Sequence, residues 1–168
     1  DNACTGGNEI TTESVDDGTN NTGNFYYKKT SPGTPTLTAD HASLTDATQS
    51  ATISVGPVTQ LVYTTAPASQ DTSACGELVV TARDAQGNNV TVGSNVDINL
   101  SSDNGGTFYS DNACTGGNEI TTEQIAAASN NTGSFYYQRT TPQATIGLTA
   151  TENPDGSYTD ATTSIDIN

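Results

Sequence analysis

The chain contains no methionine and no tryptophan, and its only positive side chains are Lys28, Lys29, Arg83 and Arg139. Each shortage excludes something. Four cations against 19 acidic residues leave a net charge of −15. Such a surface repels phosphate, which argues against nucleic acid and anionic lipid as partners. There is one histidine, His41, and no Cys-X-X-Cys pair, which argues against zinc. Residues 57–168 contain neither histidine nor lysine, so Ser/His/Asp and Cys/His catalytic sets cannot be assembled there. Lysine–asparagine crosslinks are excluded there for the same reason. No run of about 18 apolar residues is present to span a bilayer, and no signal peptide is recognisable. Hydrophobic residues make up 32% of the chain, enough for a thin core only. These shortages predict a protein that is not an enzyme.

What is abundant is threonine, with glycine and asparagine beside it, the residues of half-exposed strands and tight turns. They are arranged in a repeat. Asp1 to Glu13 (DNACTGGNEITTE) recurs unchanged at Asp111 to Glu123, and Phe25-Tyr26-Tyr27 recurs as Phe135-Tyr136-Tyr137. Leu37-Thr38-Ala39 returns as Leu148-Thr149-Ala150 after a slip of one residue, and Thr45-Asp46-Ala47-Thr48 as Thr159-Asp160-Ala161-Thr162 after a slip of three more. A period of about 110 residues is a whole domain rather than a solenoid unit. Residues 57–168 then form one complete module and 1–56 the C-terminal half of another. Residue 1 falls inside a module, so the chain reads as a mature or excised segment.

Within the complete module, short strand candidates are separated by turn residues. They cover 58–64, 77–83, 95–101, 107–109, 119–125, 134–139, 145–151 and 159–167. The third alternates cleanly, with Val96, Ile98 and Leu100 on one face and Asp97 and Asn99 on the other. No segment has sustained helical periodicity. About eight short strands predict an all-β fold of two packed antiparallel sheets, a β-sandwich.

Leu78-Val79-Val80-Thr81-Ala82-Arg83-Asp84-Ala85-Gln86-Gly87-Asn88 resembles the second strand and turn of bacterial immunoglobulin-like (Big-type) domains. Gly105-Gly106-Thr107-Phe108-Tyr109-Ser110 and Ile146-Gly147-Leu148-Thr149-Ala150 are similar to later strands of that family. The pieces around Cys75 and Cys114 resemble a subgroup that occurs as tandem repeats in prokaryotic cell-surface and filament proteins. The resemblance covers 57–168 and, through the repeat, 1–56. It implies an extracellular β-sandwich used in adhesion, stalks or filaments, and it brings no catalytic residues.

Cys4 and Cys114 are equivalent by the repeat, whereas Cys75 has no counterpart in 1–56. The economical arrangement is a Cys75–Cys114 disulfide in an oxidising compartment, with buried free thiols as the alternative. Cys4 is then unpaired or intersubunit. The segment 1–56 needs complementing strands, supplied either upstream in a longer tandem array or by another subunit in a filament.

Asn20, Asn89, Asn99 and Asn130 stand in glycosylation sequons. No cofactor is implied except calcium, for which Asp84, Asp103, Asp111, Asp155 and Glu152 are the candidate oxygen ligands, with Asp16, Asp17 and Asp46 similar. The same acids serve equally as turn-formers. Phe135 and Tyr137 are expected in the core and Tyr136 outside it.

The function expected is a structural module of an extracellular or cell-surface filament, stalk or adhesin. Its partners would be copies of itself or adjacent Ig-like modules. The alternative is a cell- or carbohydrate-binding module with a cell-surface or glycan ligand.

Overall fold

Alternation of apolar and polar residues builds two sheets in residues 54–168. A computed structural model describes residues 3–4, 6–7 and 9–168, and the chain divides into two units, 1–53 and 54–168. Among the described residues every regular element is a β-strand.

In the first unit a single antiparallel hairpin forms among the described residues, from β1 (Thr36–His41) and β2 (Leu44–Ser50). Gly33 and Ile53 extend it by an isolated bridge. Between 9 and 32 no strand forms.

The second unit holds β3 (Gln60–Thr65), β4 (Ser69–Gln70), β5 (Cys75–Arg83), β6 (Val96–Ser102) and β7 (Thr107–Tyr109). It continues with β8 (Glu119–Ile120), β9 (Thr122–Ile125), β10 (Phe135–Gln138), β11 (Gln143–Asn153) and β12 (Ala161–Ile167). One sheet runs β3-β5-β10-β7-β8 and the other β4-β12-β11-β6-β9. All strand pairings are antiparallel except β4 with β12. Residues 54–168 thus form an immunoglobulin-like β-sandwich.

The core lies between the sheets. Leu78 and Val80 of β5, Phe135 and Tyr137 of β10, Ile98 of β6, Ile146 and Leu148 of β11 and Ile165 of β12 are all fully buried. Phe108 stacks at a tilt against Phe135 and Tyr137, with centroids 6.3 and 5.2 Å apart. The alternation expected for 96–100 holds, with Ile98 and Leu100 buried and Asp97 and Asn99 exposed. Two details differ from the sequence expectation. The 119–125 strand is broken at Thr121, because β8 joins β7 in one sheet and β9 joins β6 in the other. The short β4 follows Pro67 and pairs with the last residues of β12, where the sequence suggested only a break.

Tyr137 is the largest fully buried side chain. Its hydroxyl donates to Gly105 O at 2.5 Å and lies 3.3 Å from Ser102 Oγ. Gly105 and Gly106 have φ of 77° and 95°. A Cβ at Gly106 would run into the Tyr137 phenol ring, so that turn requires glycine both for conformation and for space.

Cys75, at the start of β5, is bonded to Cys114 in the β7–β8 loop. The bridge passes over the end of β10, whose Gln138 pairs with Cys75 on one side and Thr107 on the other. With a sequence separation of 39, it is worth about 4 kcal/mol in the chain-entropy model. Reduction, or the Cys75→Ser/Cys114→Ser variant, is expected to lower the melting temperature of this unit by about 15 °C. Calorimetry with and without reductant measures it, and an unchanged transition would refute that contribution.

Candidate functional site

The feature that sets the two units apart is the pairing of the repeated segment, complete in 54–168 and absent among the described residues of 3–32. β8, β9 and β10 lie in the repeated segment, and each takes a partner from 57–110: β8 from β7, β9 from β6, and β10 from β5 and β7. β11 likewise pairs with β6.

Among the described residues of 3–32, local turns of the repeated sequence persist and no strand forms. Gly7 N donates to Glu9 Oε2 at 2.8 Å, as Gly117 N does to Glu119 Oε2. Gly23 N donates to Asn21 Oδ1 at 2.9 Å, as Gly133 N does to Asn131 Oδ1. Cys4 and Cys114 share a φ of 48°. These bonds span a few residues and need no neighbour. The strands equivalent to β8–β10 need β5–β7, which have no equivalent in 1–53. Among the described residues only the hairpin, whose two members pair with each other, survives.

Burial depends on pairing. Phe25 is 58% exposed where Phe135 is 0%, Tyr27 45% where Tyr137 is 0%, and Val15 57% where Ile125 is 0%. Ile10, Tyr26 and Leu44 are exposed as well. A cleft of about 620 Å³ opens among Ile10, Phe25, Tyr27 and neighbouring residues, with the free thiol of Cys4 on its wall. Among the described residues beyond Val55, no large hydrophobic side chain is exposed.

The acidic residues singled out in the sequence lie in separate places. Asp84 is 1% exposed. Its carboxylate accepts bonds from the amides of Gly56, Gln86 and Asn88 at 3.0, 3.0 and 2.9 Å, and from Asn88 Nδ2 at 2.9 Å. It thereby closes the β5 turn and fastens the residue before Pro57. The Asn88 side chain, with the three amides behind it, holds the carboxyl down to about 2 against the opposing effect of burial. Asp111 accepts from the hydroxyl and amide of Thr115 at 2.7 and 3.1 Å, and the hydroxyl bond is the first cause holding it below the usual carboxylate range. Asp103 accepts from Gly147 N at 2.9 Å. Asp16, Asp17 and Asp46 are exposed. Among the described residues, Asp155 is brought beside two other acids, Glu152 and Asp160. Asp160 escaped the sequence reading; the three-residue slip in the repeat just before it was the available signal.

Of the sequon asparagines, Asn20, Asn89 and Asn99 are exposed and Asn130 is half-buried. Asn89 Oδ1 accepts from Arg83 Nε at 3.2 Å, and Asn130 Oδ1 accepts from Asn131 Nδ2 at 2.9 Å. Tyr136 is half-buried rather than fully outward. The Tyr63 hydroxyl is buried without a partner, and burial pushes its pKa up.

No protein-family model matches the sequence, and no curated protein matches it. Solved structures share its fold. A glycosyl hydrolase family 2 member from Bacteroides cellulosilyticus is 12% identical over 82% of this chain, with a TM-score of 0.52. This chain spans only 18% of the length of that hydrolase. A β-glycosidase from Bacteroides vulgatus is 12% identical over 81% of this chain and 17% of its own, with a TM-score of 0.49. Domains 4 and 5 of the S-layer protein SbsC are 14% identical over 81% of this chain and 58% of theirs, with a TM-score of 0.43. At 12% identity the likeness to the first of these concerns the fold alone, and the other two, with lower TM-scores, add nothing to it.

Asp84 sets an expected pH dependence. Its folded pKa is depressed, so the stability it confers is complete above the ordinary carboxylate pKa and is lost as pH falls through about 2. Asp84→Asn is expected to lower the melting temperature at neutral pH and to flatten the decline between roughly pH 4 and 2. Thermal melts across that range check it; parallel wild-type and variant curves would contradict the assignment.

Proposed function

We propose that this protein is a structural segment of an extracellular array or filament of immunoglobulin-like modules, as the Big-type resemblance implies. In this reading residues 1–56 receive their missing strands from polypeptide of the same kind as residues 57–110. One observation carries it: near-identical residues are buried in 54–168 and exposed in 1–53. An exposed apolar face of that kind marks an interaction surface, and the complete module specifies what covers it. The cover is a β3–β7 segment with a cysteine at the Cys75 position.

The stoichiometry narrows the source. Residues 1–168 contain two second-half segments and one first-half segment. Copies of these residues alone would always leave one second half bare for each chain. In the proposed arrangement the covering strands belong to a further first half of the same kind, in a longer tandem chain or in a neighbouring subunit. Either arrangement links modules head to tail, a contact that propagates rather than closes. The disulfide supports an oxidising, extracytoplasmic location.

A carbohydrate-binding module would present an exposed aromatic platform. The exposed aromatics, Phe25, Tyr26 and Tyr27, are the counterparts of Phe135, Tyr136 and Tyr137, two of which fill the core of the complete module. This favours the structural reading.

The test is to place a second copy of residues 57–110 directly before residue 1. A second cooperative transition should appear, and Cys4 should pass from alkylation-sensitive to disulfide-bonded with the added cysteine. If 1–56 in the unextended chain already resists hydrogen exchange and unfolds cooperatively, the proposal fails. In the unextended chain, Phe135→Ala is expected to cost about 3–5 kcal/mol, while Phe25→Ala stays within about 0.5 kcal/mol. In the extended chain the two costs should converge. Denaturant titration measures both.

A further inference from the structure

The β11–β12 loop holds an unsatisfied acidic group that the array reading does not use. Glu152, near the end of β11, is 3% exposed. Its Oε1 accepts bonds from the amides of Ser157 and Tyr158, both at 2.5 Å, which curl the loop back on the strand. Its Oε2 is buried and has no partner. Carboxylate oxygens of Asp155 and Asp160, both exposed, lie with an oxygen of Glu152 so that all three are within 4.8 Å of one another. The arginines of this unit are engaged elsewhere through Nε, Arg83 with Asn89 and Arg139 with Thr141.

We propose that Glu152, Asp155 and Asp160 bind one calcium ion. A buried carboxylate oxygen without a partner is costly, and two further carboxylates beside it add repulsion. A hard divalent cation removes both penalties. Oxygens bound to one calcium at 2.3–2.6 Å stand at most about 5 Å apart, a limit that the separations among these three, all within 4.8 Å, meet. Loop carbonyls and water complete the shell. Magnesium usually keeps most of its water and takes one or two carboxylates, so calcium is the ion that the three-acid set suits.

The first copy of the repeat provides an internal contrast. Its hairpin is shorter by three residues and reads Asp40-His41-Ala42-Ser43-Leu44-Thr45-Asp46. Asp46 matches Asp160, but nothing there matches the Glu152 and Asp155 pair. The extra length of the second copy brings the acids together. The site lies where the loop passes β3: Leu61 N donates to Thr159 O and Thr159 N to Thr59 O, each at 2.9 Å. A bound ion would brace the loop against the first strand of the module. The site stands whether or not residues 1–56 are covered by another module.

The experiment uses the full 168-residue chain. Terbium luminescence excited through tyrosine should report binding, since Tyr158 adjoins the site, and calcium should displace it with a dissociation constant of roughly 0.1–1 mM, the range of extracellular modules. Calcium at several times that level should raise the melting temperature of 54–168 by a few degrees. Chelator should reverse the shift, and equal magnesium should not reproduce it. Asp155→Asn/Asp160→Asn, at two exposed positions, should fold normally and lose both responses. Asp46→Asn should keep them. A wild-type chain with neither response overturns the proposal, as does a double variant that retains them. Glu152→Gln with an undiminished calcium response would overturn it as well, and would leave Glu152 as a loop-closing group only.

Discussion

The core of the complete module is shared between two stretches of chain that must find each other. Strands β3–β7 supply Leu61, Leu78, Val80, Ile98, Leu100 and Phe108, and the repeated segment supplies Ile125, Phe135, Tyr137, Ile146, Leu148 and Ile165. Neither set is large, and the chain has little else to bury. Each half has one apolar face and unpaired strand edges, so each is the condition for the other's structure. The disulfide crosses this seam, from β5 to the loop of the repeated segment. In a module with so few bulky side chains, a covalent tie across the joint offsets part of what a larger core would supply.

Residues 1–53 repeat the sequence of the second half of that module without the strands it pairs with there. Local hydrogen bonds persist, because their donors and acceptors lie within a few residues. The hairpin persists, because both its strands are present. Among the described residues, the features that required a long-range partner are gone: the β8–β10 equivalents, the disulfide and the burial of the aromatic cluster. The exposure of side chains whose counterparts are buried in 54–168 is the physical basis of the proposed assembly.

Acidic residues carry distinct tasks on this scaffold. Asp84 is consumed by the protein's own donors and fastens the turn after β5 to Gly56. Asp103 and Asp111 do the same for other loops. The Glu152 group differs, because one of its oxygens is buried and unmatched. Residue type could not separate these cases. A turn-closing aspartate and a ligating one look alike in sequence, and the distinction is whether backbone amides already occupy the lone pairs.

The period, the all-β class and most strand positions were legible in the order of residues alone, because alternation and turn residues act over a few neighbours. So was the economy of pairing Cys75 with Cys114, since Cys4 duplicates Cys114. Other features emerged solely from the folded chain: β8 and β9 separate into different sheets, β4 pairs in parallel with β12, and Gly106 makes room for Tyr137. The opposite fates of Phe25 and Phe135, and the gathering of Asp160 with Glu152 and Asp155, belong to the same group. One reason is common to them all: local conformation is set by adjacent residues, whereas burial and the meeting of distant oxygens depend on which strands are available to pair.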